Sequence, residues 1–263
     1  MEYVEKGFRY ALSENIRIVT TLVIRNALTR FGDGPMGIFW ALAEPGAMIG
    51  IYLLMHGVIR AAIPFGDNAI LFFLTGILAF RMTRAISAKT EGAISQNQSM
   101  LTFPLIRPLD TVVAAFLFEL ILWAVISTIF ITFVTVYLDR SVIVYPLEFT
   151  ACLISIIYFA FAFGVFNATF GVIVPLWKTI LGMLGLPLMI ASGILFVPSS
   201  MPPEFITIIW WNPFLHCVEW FRSTTYLDYH TVLSKTYLWS VSTILLTTGL
   251  ALERLFRNRI INE

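Results

Sequence analysis

Residues Thr111 to Tyr137 read TVVAAFLFELILWAVISTIFITFVTVY, with Glu119 as the single charged side chain. About 20 apolar residues in a helix cross the hydrocarbon core of a bilayer. Lipid offers no hydrogen bonds to backbone N–H and C=O groups, so a run like this is held to a helix that bonds itself. Five more stretches qualify: Met36 to Ile59, Ala69 to Ile86, Leu147 to Val174, Thr179 to Phe196 and Tyr237 to Phe256. The expected fold is an all-α integral membrane protein with six transmembrane helices. Only 13% of the residues are charged and 58% are hydrophobic, where a soluble domain carries roughly 25% charge. Such a chain cannot cover itself with polar surface and needs lipid as part of its solvent. Its net charge of +1 gives no overall field for nucleic acid.

Lysine and arginine set the orientation. With both termini cytoplasmic, the inside holds Lys6, Arg9, Arg17, Arg25, Arg30, Arg81, Arg84, Lys89, Arg107, Lys178, Arg254, Arg257 and Arg259. The outside then holds only Arg60, Arg140, Arg222 and Lys235. That bias predicts cytoplasmic termini. No cleavable signal is expected, because charge runs through the first 30 residues.

Gly32, Gly34 and Gly37 in FGDGPMG fit G-x-G-x-x-G. A dinucleotide site would need a buried strand before them, a crossover helix after them and a carboxylate about 20 residues on. None of the three is present, so the glycines read as a loosened entry into the first span, with Pro35 near the first helical position.

Three segments are not simple spans. In residues 1–33, Glu2, Lys6, Arg9, Ser13, Arg17 and Thr20 share one helical face, and Val4, Phe8, Leu12, Ile16, Val19 and Val23 share another. This reads as a basic amphipathic interface helix, either a surface anchor or a docking surface for a cytoplasmic partner. Residues 34–263 form the six-span transmembrane remainder. Between spans two and three, Ala88 to Leu101 could form a short cytoplasmic helix before Pro104 and Pro108 redirect the chain. That helix is a mere connector or a surface for a soluble motor subunit to push. From about residue 198 to 230, Pro198, Pro202, Pro203 and Pro213 cut an apolar stretch into pieces too short to cross, which read as re-entrant helices on the outer face.

Chemistry is sparse. The motifs G-x-x-x-x-G-K-[ST], H-E-x-x-H and G-x-S-x-G are missing, so neither nucleotide hydrolysis nor hydrolase chemistry is expected on this chain. Cys152 and Cys217 lack CxxC partners and read as buried free thiols. His216 beside Cys217 and Glu219 offers too few ligands for a metal. The sequons at Asn97 and Asn167 fall inside the cell or the membrane and are not glycosylation sites. Glu119, deep in span three, reads as a structural or gating partner of an arginine rather than a proton carrier. Phe159, Phe163, Phe166 and Phe170 form one stripe along span four. The stripe is either packing or a sliding surface for sugar rings. Arg81, Arg84 and Lys89 either meet an anionic substrate at the cytoplasmic mouth or express the ordinary charge bias.

The local residues resemble a known family. GIFWALAEPGAMIGIYLLMHGVI carries W-A-L-x-x-P at Trp40, Ala41, Leu42 and Pro45. The stretch entering span three carries Asn97, Leu101, Pro104, Pro108, Leu109, Asp110 and Glu119. WWNPFLHCVEWFRSTTY carries N-P-x-x-H-x-x-E-x-x-R at Asn212, Pro213, His216, Glu219 and Arg222. In this order they resemble the membrane subunits of type-2 ABC exporters, capsular polysaccharide branch, the KpsM-like permeases. The resemblance implies a homodimer in the bacterial inner membrane with two copies of a separate ATPase, which holds the ATP and Mg²⁺. This chain would carry no cofactor. The cargo would be a lipid-linked capsular polysaccharide, passed on to a periplasmic co-polymerase and an outer-membrane exit protein. Glu91, Ser95, Gln96, Asn97, Gln98 and Leu101 would couple to the ATPase. Trp210, Trp211, Asn212, His216, Glu219 and Arg222 would form a periplasmic gate. The same fold could serve another cargo, such as O-antigen, teichoic acid, a lipid or a drug. An ion-driven transporter would show inverted repeats, and spans one to three do not repeat in four to six. A membrane-bound transferase would need clustered catalytic groups. The Asn212–Arg222 cluster is the one candidate, and it reads as a structural hydrogen-bond network.

Overall fold

A computed structural model describes residues 2–32, 36–59, 63–101 and 106–262. The expected boundary at residues 33–34, with Gly34 and Pro35, lies outside them, as do Arg60 and Pro104. So do the side chains of residues 2–6 and 8–12, which carry the first half of the amphipathic pattern. The described residues are helical without a strand: α1 (Glu2–Phe31), α2 (Met36–Ile59), α3 (Ala69–Gln96), α4 (Gln98–Leu101), α5 (Pro108–Leu138), α6 (Pro146–Ile173), α7 (Leu176–Ile190), a 3-10 turn (Pro198–Ser200), α8 (Pro203–Ile209), α9 (Pro213–Ser223) and α10 (Lys235–Asn262).

Capping fixes several starts. Asn68 Oδ1 accepts the N–H groups of Ile70 (2.8 Å) and Leu71 (3.3 Å) to open α3. Proline at the first helical position opens α5, α6 and α9, where its missing N–H costs nothing. α3, α5 and α6 are each long and apolar enough to cross a membrane, while Leu42–Met55 within α2 and all of α7 form shorter apolar stretches.

α3 is the centre. Every residue from Leu71 to Phe80 is buried, and the helix packs against α2, α5, α6 and α9. α10 closes onto α6, and α1 lies along α5. Two glycines allow close helix approach, as small residues do in membrane bundles. A Cβ on Gly249 would sit 2.9 Å from the Phe166 backbone, and one on Gly164 would sit 2.5 Å from Thr90 Cβ. Gly249→Ala should therefore push α10 off α6, at a cost of about 1–3 kcal/mol. The detergent-purified protein should melt several degrees lower, and an unchanged melting temperature would refute this contact.

Three expectations are corrected. Span two does not stop at Ile86. α3 continues to Gln96, so Ala88–Gln96 is the end of a long helix, and only Gln98–Leu101 forms a separate turn beyond the break at Asn97. With 28 residues, α3 is about 42 Å long at 1.5 Å per residue, roughly 10 Å more than the hydrocarbon layer needs. Span five ends early. α7 stops at Ile190, and Gly193 takes a φ of +74° that turns the chain. On α1, Thr20 shares an exposed stripe with Ile16, Ile24 and Leu28, while Asn15, Leu22, Arg25 and Arg30 make the contacts or are buried. Ile16, expected on the apolar face, thus lies on the outer one, together with Ser13, Arg17 and Thr20 of the expected polar face.

Large apolar side chains stay exposed on the outside, among them Trp40 and Leu54 on α2, Phe133 on α5, and Met183 and Leu186 on α7. In water such a belt would be a liability. In lipid it is the solvent-facing surface.

Candidate functional site

At the end of the bundle that holds the α3 C-terminus, α1, α3 and α5 surround a cleft of about 330 Å³. Its lining includes Arg25, Asn26, Arg30, Lys89, Gln96 and Asn97. Polar bonds hold α1 over it. Asn15 donates to Asp110 Oδ1 at 2.9 Å. Arg25 donates to Asn97 Oδ1 and contacts Met100 Sδ. Arg30 Nη1 meets Glu119 Oε2 at 2.9 Å, and Trp123 Nε1 donates to Glu119 Oε1 at 3.2 Å. Phe31 packs on Phe118 with ring centroids 5.9 Å apart. The cleft presents three cations, and Glu119, the carboxylate paired with Arg30, has a side chain only 2% exposed. Such a site suits an anion, because guanidinium groups bind phosphate or carboxylate in a fork.

Of the three basic residues expected at a substrate mouth, only Lys89 lines this cleft. Arg81 pairs with Glu44 on α2, and Arg84 lies 3.6 Å from Glu91 on its own helix. Arg25 and Arg30 were not anticipated as site residues. Their sequence signal was the positive charge at the end of an amphipathic helix, which the charge rule alone absorbs.

Among the residues expected to couple, Ser95 and Gln96 are exposed and Gln98 is half-buried. Asn97 and Leu101 turn inward. Asn97 Nδ2 donates to Ala93 O at 2.7 Å, and Leu101 joins a small core with Val112 and Val165. Glu91 is mostly buried. The aromatic stripe divides. Phe159 is fully buried and, with Phe163, packs edge-on against Phe214 of α9. Phe166 and Phe170 stack at 5.4 Å, and Phe170 meets Trp177 at 5.1 Å. Phe159 is closed off inside the chain, which leaves the other three half-buried and nearer its surface.

At the opposite end, the residues from Asn212 to Arg222 hold the outer segment together. Asn212 caps α9 through Phe214 N–H (3.1 Å) and donates to Ser192 Oγ (3.1 Å). His216 Nδ1 accepts Ser234 N–H at 3.1 Å, so its Nε2 carries the proton and donates to Trp210 O at 2.8 Å. Burial lowers the affinity of that imidazole for a second proton. Glu219 accepts Tyr229 OH at 2.6 Å and Val232 N–H at 3.2 Å. Burial raises its carboxyl above the usual range, while Tyr229 and nearby Arg222 oppose the shift. Arg222 is fully buried. It donates to Gly193 O (2.6 Å), Phe196 O (3.2 Å) and Ile194 O (2.8 Å), and lies 3.9 Å over the Phe72 ring. Trp210 donates to Val232 O, and Tyr237 to Trp211 O; Trp211 itself is two-thirds exposed. Asn212, His216, Glu219 and Arg222 each bond a neighbouring loop or helix end, so the cluster is a clamp.

Residues 17–226 match the sequence model of the ABC-2 type transporter family. The chain belongs to that family. In this ABC-2 chain the matched region starts within α1 and ends just past α9, so it includes the cleft lining and the clamp residues Asn212 to Arg222. The Polysialic acid transport protein KpsM of Escherichia coli is 28% identical over 237 residues, covering 90% of this chain and 92% of that protein. The Capsule polysaccharide export inner-membrane protein BexB of Haemophilus influenzae is 29% identical over 225 residues, covering 84% of each. The protein of the same description, CtrC, from Neisseria meningitidis serogroup B is 28% identical over 254 residues, covering 95% of each.

Proposed function

We propose that this chain is the membrane subunit of an ATP-driven exporter that moves a lipid-linked capsular polysaccharide from the cytoplasm to the periplasm. The likeness to capsule export permeases over nearly the whole chain carries the reading. The chain would cross the bacterial inner membrane six times with both termini cytoplasmic, and α2, α7 and α10 would be the three further spans. It would work as a pair of copies bound to two ATPase subunits, with ATP and Mg²⁺ held by the partner. A periplasmic co-polymerase and an outer-membrane exit protein would receive the polymer. The charge bias supports this orientation, since it puts the three-cation cleft on the cytoplasmic side, where an anionic cargo headgroup enters. The overhanging end of α3, with Ser95, Gln96 and Gln98, would meet the ATPase. Phe163, Phe166 and Phe170 would lie beside the path of the polymer, and the clamp around Trp210–Arg222 would close its outer end.

Purification of the tagged chain from its host tests the reading. A Walker-motif ATPase should come down in equal amount, and the complex should hydrolyse ATP. A host deleted for the chain should accumulate capsular polymer inside the cell. A chain that purifies alone, or a deletion host with normal surface polymer, would end the proposal. Intact capsule with a different cargo retained inside would keep the exporter and replace the polysaccharide.

A further inference from the structure

One exposed side chain does not fit a lipid-facing surface. Trp40, Glu44, Ala47, Ile51 and Leu54 are spaced by three or four and share one exposed face of α2. Glu44 is the only charge among them, and its side chain is 57% exposed. It forms an ion pair with Arg81 of α3, whose side chain is 24% exposed. At 1.5 Å per residue, Glu44 lies about 12 Å along α2 from Met36, and Arg81 about 18 Å along α3 from Ala69. The hydrocarbon layer is about 30 Å thick, so the pair sits well inside it. From that depth a glutamate side chain is too short to reach the headgroups.

Charges at this depth nearly always face a bundle interior or a water-filled cavity. The interior of this chain does not cover Glu44. Arg81 meets it from the α3 side, and its outward side is open. A second copy laid on the stripe suits it poorly. In a twofold contact one patch meets itself, so Glu44 would face its own copy or an apolar side chain. A hydroxyl-rich chain with its water suits it well. A sugar hydroxyl donates to a carboxylate and accepts from a guanidinium. The C–H face of a sugar ring packs on an aromatic face, and Trp40, 65% exposed, stands one turn from Glu44 on the same stripe. The two charges balance, so neither sign would hold a passing polymer in place.

We propose that Glu44, fixed by Arg81, lines a water-filled route for the polymer, and that the α2 stripe around it borders this route rather than lipid. The inference rests on the exporter reading and gives its path a charged wall. It also takes Trp40 and Leu54 out of the lipid-facing belt.

The test is thiol labelling of the whole complex in membrane vesicles, with export and ATP hydrolysis read on the same preparations. Cys152 and Cys217 are buried, so the wild-type chain is the blank. The probe is a permanently charged methanethiosulfonate, which reacts with the thiolate, a form that needs water. Val125 on α5 is the reference, 52% exposed between exposed Ile121 and Ile129. Ala47→Cys and Ile51→Cys should each react at least about tenfold faster than Val125→Cys. Labelled Ala47→Cys should then export about tenfold less while hydrolysis continues. Glu44→Gln still accepts from hydroxyls and should export within about threefold of wild type, whereas Glu44→Leu at equal abundance should export about tenfold less. Equally slow labelling at all three positions puts the stripe in lipid and overturns the proposal. So does a disulfide joining two copies of Ala47→Cys, which seats a second copy there. Fast labelling that leaves export unchanged, or equal export by the two Glu44 variants, overturns it too. If Ala47→Cys does not assemble, Ile51→Cys against Val125→Cys decides. Failure of the exporter reading shows separately, as a wild-type chain without ATPase or export, because the labelling contrast is read without either.

Discussion

Replacing Arg222 with methionine should remove most of the folded protein from the membrane fraction. Arg222 serves no carboxylate directly. Its guanidinium reaches three carbonyls, those of Gly193, Ile194 and Phe196, at the turn where α7 ends. These carbonyls face the interior and have lost their helical partners. Methionine would fill much of the volume but donate nothing. Each orphaned buried acceptor costs about 1–3 kcal/mol, so at least about 3 kcal/mol is expected in total. That is roughly a hundredfold in the ratio of folded to unfolded chain. Lysine keeps the charge, but its ammonium is a single point that cannot fork to three carbonyls, so Arg222→Lys should fall between methionine and wild type. Gly76 makes the room, since a Cβ there would sit 2.7 Å from Arg222 Nη2. Gly76→Ala should therefore move in the same direction. The measurement is abundance and melting temperature in detergent. Wild-type values for Arg222→Met would mean the clamp holds nothing, and any gating by this cluster would then have to work through other residues.

The sequence contained the pieces of this clamp but not their assembly. Asn212, His216, Glu219 and Arg222 stood out as a spaced polar set on an apolar helix. What they bond was not legible, because Arg222 reaches carbonyls 26 to 29 residues earlier, and backbone acceptors carry no sequence signal. The early end of α7 was hidden for a related reason. The apolar run continues through Phe196, and hydropathy counts residues without asking whether the backbone is still helical. Gly193 was the one local sign. The continuity of α3 past Ile86 was missed because polarity rises there, and polarity was read as a change of element. Ala88 to Gln96 contains no proline, and helix formation tolerates polar residues where a helix leaves the lipid. The family, by contrast, was legible from motif order. Periodicity placed Phe159 to Phe170 on one face but could not say that Phe214 would cover its upper half. The cleft needed three helices brought together, and only the charge on α1 hinted at it.

The second large effect concerns the bond that holds α1 to the bundle. Arg30→Met should cost about 3–5 kcal/mol, since it leaves a buried carboxylate unpaired. Glu119 would keep only the Trp123 N–H, in a side chain 2% exposed. Glu119→Gln should be milder, about 1–2 kcal/mol. The amide still accepts from Trp123, and Arg30, 29% exposed, can turn into the cleft and find water. The two singles are thus unequal although they break the same bond. Combining them should give a protein closer to Glu119→Gln than to Arg30→Met, because the second change removes the charge that the first one strands. The three melting temperatures should therefore rank with Arg30→Met lowest and the double variant above it. A double variant as low as the sum of the two singles would show that Arg30 and Glu119 act independently. Loss of this α1 contact should also appear as faster proteolysis near Phe31, most of all in Arg30→Met, because the other ties, Asn15 to Asp110 and Arg25 to Asn97, lie further back along the helix.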